Sequence, residues 1–159
     1  MKAKMILAAM ALSLSACASL VSGGFSELKP GVASTADVEA RVGKPAHVWK
    51  DADGGQQWEF SAQPQRQTTY MVHFSSDGKV LAVDQVLTRD QFVKVQRGMT
   101  LDQVRRLMGA PGSITQSLKG EDTWEWVVED FMPDLRQRFY AYFRGGRITR
   151  TDVMVYEEN

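Results

Sequence analysis

The chain has 159 residues, 43% hydrophobic and 24% charged, with 19 basic and 19 acidic side chains and so no net charge at neutral pH. That balance gives no basic footprint for nucleic acid. Four Trp, four Tyr and seven Phe describe a folded body rather than a disordered stalk, and a single cysteine rules out an internal disulfide framework.

The first element is an export signal. Lys2 and Lys4 form a basic start, and Met5 to Leu14 is an apolar run without a charge. A bilayer-spanning helix needs roughly 20 apolar residues, and this run is about half that length. Cleavage is therefore expected rather than retention. Leu14, Ser15, Ala16 and Cys17 close the segment and resemble the lipobox of bacterial lipoproteins, in which the cysteine is acylated and becomes the first residue. With no other thiol in the chain, Cys17 has no disulfide partner and reads as the acyl acceptor. Two or more acyl chains anchor stably where one does not. The resemblance further implies delivery to the outer membrane, because Ala18 rather than Asp follows the cysteine. Residues 1–16 are the expected signal peptide and 17–24 a lipidated tether; the mature chain keeps 17 basic against 19 acidic side chains.

Beyond the tether the sequence repeats itself at an offset of 66 to 69 residues. Phe25, Leu28 and Gly31 recur as Phe92, Val95 and Gly98. Val38, Gly43 and Pro45 recur as Val104, Gly109 and Pro111, and Trp58-Glu59-Phe60 as Trp124-Glu125-Trp126. The expected units are 25–87 and 88–159. A unit of this size buries only about 60% of its unfolded surface, so the two are expected to share a core or pack together.

Inside each unit the apolar period changes from helical to alternating. In the first, Ser34 caps a helix carrying Val38 and Val42 that stops at Gly43 before Pro45. Asp77-Gly78 is a hairpin turn. In the second, Thr88 or Asp90 starts a short helix with Phe92, Val93 and Val95. Thr100 and Gln103 then form a capping box for a helix with Leu101, Val104, Leu107 and Met108 on one face. Gly109 and Pro111 end it. Trp124, Trp126 and Val128 alternate with Glu125 and Glu129 along a strand. Phe139, Ala141 and Phe143 share a face of the next, and Gly145-Gly146 turns into a third strand from Arg147 to about Tyr156. The fold class is thus α+β: two tandem helix-helix-strand-strand-strand units, each a helix pair on a three-stranded antiparallel sheet.

The run from Gly98 through Thr100, Gln103, Val104, Leu107, Gly109 and Pro111, followed by Trp124-x-Trp126 and an aromatic strand, resembles the SmpA/OmlA (BamE-like) family of outer-membrane lipoproteins. It covers the second unit well and the first in degenerate form. The sequence departs from the family pattern after Pro111, where Gly112 to Thr115 lack an Asp-Pro-Phe-like segment. The resemblance implies a non-catalytic accessory role in outer-membrane protein assembly or envelope integrity, exercised through protein contacts from the periplasmic side. A tandem of such units is also similar in architecture to the β-lactamase inhibitor protein, so a periplasmic inhibitor or binding module is the alternative.

No catalytic or metal constellation can be assembled from the residues, and no cofactor is implied. His47 and His73 have no ligand spacing around them, and no serine sits in a nucleophile elbow. Glu121-Asp122, beside Lys119, reads as a solvated loop, and Glu157-Glu158 as a terminal charge run. The candidate binding surface is the far side of the Phe139 strand, where Arg138, Tyr140, Tyr142 and Arg144 project together. Tyr and Arg are the types enriched where proteins meet. The expected partners are the membrane, through acyl chains on Cys17, and a protein of the envelope.

Overall fold

The computed structural model describes residues 23–128 and 135–157. The signal segment, Cys17 and most of the tether lie outside these residues, as do Glu129 and Glu158. Two short helices, α1 (Gly23–Ser26) and α2 (Thr35–Val42), precede four strands, β1 (His47–Lys50), β2 (Gln56–Ser61), β3 (Thr69–Phe74) and β4 (Val80–Gln85). The same order then recurs as α3 (Arg89–Phe92), α4 (Leu101–Met108), β5 (Ser113–Gln116), β6 (Glu121–Val128), β7 (Leu135–Arg144) and β8 (Arg147–Glu157). Each set of strands is an antiparallel meander in chain order. Among the described residues no helix is long and apolar enough to cross a membrane.

The α+β class holds, but each sheet has four strands rather than three. The additional strands, β1 and β5, are only four residues long and follow directly on the proline that ends each helix. Four residues are too few to establish a period of two, and Ser113–Gln116 is exposed throughout. Their identity comes from pairing with β2 and β6, as in His47 opposite Glu59 and Ser113 opposite Glu125. Glu121 and Asp122 are likewise in β6, not in a loop. There Glu121 faces Arg144 and Arg150, at 3.9 and 3.8 Å. His73 lies 3.5 Å from Asp84, and His47 packs edge-on to Trp49.

Local rules explain the helices. Ser34 caps α2 in a reciprocal box with Asp37, and Thr100 caps α4 in one with Gln103; each box satisfies two amides that a helix start leaves bare. Both helices end on a glycine with positive φ, Gly43 at 89° and Gly109 at 74°. Thr88 precedes α3 but its hydroxyl makes no capping bond, and Val93 is exposed. α1 begins at Gly23, within the stretch assigned to the tether.

Each half has its own core. Phe25, Val38, Val42, Trp58, Phe60, Val72 and Phe74 form one, and Leu87, Phe92, Val104, Met108, Trp126, Phe139 and Phe143 the other. Matching ring stacks tie the first helix of each half to its sheet: Phe25 lies on Tyr70 at 4.1 Å and Phe92 on Phe139 at 4.6 Å. The halves meet where α4 lies on the second face of the first sheet. Trp49, Met71 and Val86 form a small apolar cluster there.

Candidate functional site

The far face of β5–β8 is intelligible only beside the equivalent face of β1–β4, which is covered. β2 is buried on both sides: Trp58 and Phe60 face its own helices, while Gln57 and Glu59 face α4. Glu59 is 0% exposed, accepting from Arg105 Nε at 3.0 Å and from the Ala110 amide at 2.9 Å. Arg106 donates to Asp51 at 2.6 Å, and the Trp49 indole donates to Asp102 at 3.0 Å. The C-terminal carbonyls of α4 also find donors. Gln57 serves Arg106 O at 2.8 Å, Gln91 serves Leu107 O at 3.1 Å, and the Trp126 indole serves Gly109 O at 3.1 Å. A carboxylate withdrawn from water must be fully hydrogen-bonded and paired to persist, and Glu59 is.

On β6 the counterpart residue, Glu125, has no helix above it among the described residues. Its cation is Arg138, supplied by the neighbouring strand β7. Arg138 also lies over the Tyr156 ring, 5.2 Å from its centroid. Tyr140 stands directly between Glu125 and Asp152 in the strand register. Partial burial, and then the neighbouring Glu125 carboxylate, raise the Tyr140 phenol above the ordinary tyrosine range, because both disfavour a second negative charge there. Tyr140 and Tyr142 are near parallel, with centroids 6.4 Å apart. The Arg150 guanidinium sits 3.2 Å from the centre of the Tyr142 ring. Arg144 is the least engaged of the four expected residues, with its side chain 66% exposed.

Alternation along β7 therefore places Arg138, Tyr140, Tyr142 and Arg144 on one surface, opposite the buried Phe139, Ala141 and Phe143. Beside them lie Glu121 and Glu125 from β6 and Arg150, Asp152, Met154 and Tyr156 from β8, of which sequence reasoning had placed only Glu125 on the outer face. The register shift between Tyr142 and Phe143 puts Ile148 on the core side and Arg150, Asp152, Met154 and Tyr156 on the outer one, so a strict period of two counted from Ile148 misplaces them. The charges alternate in sign and pair across strands, so the face is close to neutral, aromatic and hydrogen-bonding. Among the described residues no group of three or more His, Cys, Asp or Glu is placed to hold a metal.

No curated protein matches the chain. A solved structure from Streptococcus mutans, assigned as a beta-lactamase inhibitor protein, is similar at 10% identity and a TM-score of 0.35, over 82% of this chain and 92% of that one. Residues 85–152, which hold α3, α4, the strands β5 to β7 and the first part of β8, match the family model described as the outer membrane protein assembly factor BamE domain.

Proposed function

We propose that the protein is a non-catalytic accessory factor in outer-membrane protein assembly or envelope integrity. In this reading it is anchored in the outer membrane by acyl chains on Cys17, faces the periplasm, and works by holding a protein partner. Its body is a tandem pair of one unit, residues 25–87 and 88–159, of which only the second keeps the BamE pattern clearly. The single observation that carries the reading is an asymmetry. The second face of β1–β4 is occupied by α4, whereas the equivalent face of β5–β8, in the half that matches the BamE domain, has no helix on it among the described residues and carries the half-buried Arg138, Tyr140 and Tyr142 and the exposed Arg150. Tyrosine and arginine supply large contact area with fixed donors, and such side chains dominate interface energetics.

The experiment is photocrosslinking in intact cells from a reactive residue at Tyr140 or Tyr142. Recovery of barrel-assembly subunits supports the reading; recovery of a single soluble enzyme overturns it. With the reactive residue moved to the exposed Arg144, changing both tyrosines to Ala is expected to leave the unfolding midpoint nearly unchanged while abolishing the adducts. Cys17→Ala is expected to release the protein from the membrane fraction, and an unchanged distribution would reject the anchor.

A further inference from the structure

β8 ends differently from its counterpart β4. At the start of each, the segment between the two helices closes the open side of the strand. Val80 exchanges backbone hydrogen bonds with Gly31 and Ala33 at 2.8 and 2.9 Å, and Ile148 with Gly98 and Met99, both at 2.9 Å. β4 then stops at Gln85, and Val86 enters the junction cluster. β8 instead runs on to Glu157, and beyond Arg150 its backbone bonds, among the described residues, to β7 alone. The Val153 amide donates to the Asp152 carboxylate at 3.0 Å, turned away from β7. Donors alternate along an antiparallel strand, so the amides of Thr151 and Val155 point the same way. Val153, Met154, Val155 and Tyr156 are between 37% and 50% exposed, two on each face of the sheet. A long, apolar, open edge of this kind is a template for a further strand.

The geometry points to a second copy of β8 as that strand, antiparallel to the first about a two-fold axis at Met154. Residues whose amides face outward have to meet one another, and this register pairs Val153 of each copy with Val155 of the other. Met154 meets itself. Tyr156 meets Asp152 of the second copy, whose carboxylate exchanges the Val153 amide for the phenol while that amide donates to a Val155 carbonyl. The charges select the antiparallel sense. β8 is basic at its start, with Arg147 and Arg150, and acidic further on, with Asp152 and Glu157. Antiparallel self-pairing runs the basic start of one strand alongside the acidic end of the other, whereas parallel pairing sets like charges together. A two-fold contact uses the same edge twice and closes, so no third copy is added. The outer faces of two four-stranded sheets then join into one, which presents Tyr140 and Tyr142 twice.

The test uses the purified mature protein in density-matched detergent. Sedimentation is expected to give the mass of two copies, falling to one in Val155→Pro, which removes an outward donor and leaves the ladder to β7 intact. Val153→Lys, which keeps the backbone and sets a charge in the contact, is expected to do the same. Met154 falls in a non-hydrogen-bonded pair, where Cα atoms are roughly 4.5 Å apart, within the span of a disulfide. Met154→Cys is therefore expected to yield a disulfide dimer that maps to position 154. Its yield should exceed that of Asp152→Cys at least about tenfold, because the two copies of position 152 lie roughly 13 Å apart along the strands. A monomer in the unaltered protein would overturn the inference. So would a dimer that does not crosslink through position 154, or slowed amide exchange at Thr151, Val153 and Val155 in a monomer, which would assign the edge to the chain itself. Crosslinking from Tyr140, Tyr142 or Arg144 reads a different surface, so the two proposals fail separately.

Discussion

Two sheets of the same topology differ in how their outer faces meet the rest of the molecule. On β1–β4 the carboxylate of Glu59 is fully buried and its cation, Arg105, comes from α4, 46 residues further along the chain. On β5–β8 the carboxylate of Glu125 keeps 18% of its side-chain surface and its cation, Arg138, comes from the next strand. The lesson is that one glutamate position can serve either as part of a junction or as part of a self-sufficient surface, depending on which element provides the arginine. A cis-paired glutamate lets the terminal sheet remain open without an orphaned charge, as end units of repeat arrays require a polar outer face.

That difference can be broken most forcefully at the two helix-ending glycines. At Gly109 a Cβ would meet Thr69 Cγ2 at 2.4 Å, on backbone with φ of 74°, whereas at Gly43 nothing lies within 4 Å. Gly109→Ala is therefore expected to cost about 2–4 kcal/mol, from left-handed strain plus overpacking, and Gly43→Ala about 1 kcal/mol, from strain alone, by urea titration. Equal losses would mean that α4 does not lie on the first sheet. Next comes the glutamate pair itself. Glu59→Ala is expected to lose about 2–3 kcal/mol, because it strands a backbone amide and a partly buried guanidinium. Glu125→Ala is expected to lose under about 1 kcal/mol, as an accessible pair does.

Smaller effects sharpen the same contrast. Ser34→Ala and Thr100→Ala should each cost about 1 kcal/mol as lost caps, but only the first should alter acid stability. Its partner Asp37 is held below the ordinary aspartate range by the Ser34 hydroxyl and amide. A depressed carboxylate contributes stability that is present above its unfolded pKa and lost as pH falls through the folded one. The slope of the unfolding midpoint against pH at the acid end should flatten in Ser34→Ala and stay unchanged in Thr100→Ala. Smallest is the Tyr140 phenol. Its raised pKa means that ionisation opposes the folded state as pH climbs above the ordinary tyrosine range. Ultraviolet titration should show Glu125→Gln lowering that pKa toward the ordinary value; no change would remove Glu125 as a cause.

How far the sequence announced this arrangement depended on whether the signal was local. The Ser34 cap, the Thr100–Gln103 capping box, the helix-ending glycines and the alternation of Phe139, Ala141 and Phe143 are contained within a turn or a strand, and they were legible residue by residue; the Asp37 half of the first box was not. The set Arg138, Tyr140, Tyr142 and Arg144 followed from the same alternation. Strands β1 and β5 were not legible, because their only warrant is hydrogen bonding to a neighbour. The role of Arg105 and Arg106 was also hidden. Near the end of α4 they read as cations complementing the helix dipole, and nothing in their spacing says that Glu59 and Asp51 lie across from them. Pairings between residues about 50 positions apart leave no periodic trace.

α4 is eight residues long and serves both sheets, with Val104 and Met108 in the core of the second half and Arg105 and Arg106 on the face of the first. The chain that links the halves is equally committed, since Val86 packs in the junction cluster and Leu87 in the second core. Pulling the two halves apart therefore has to break the α4 contacts and the packing of Val86 and Leu87 together. Separation has to release the bonds of Arg105, Arg106 and Asp102 to the first sheet in one event rather than one at a time.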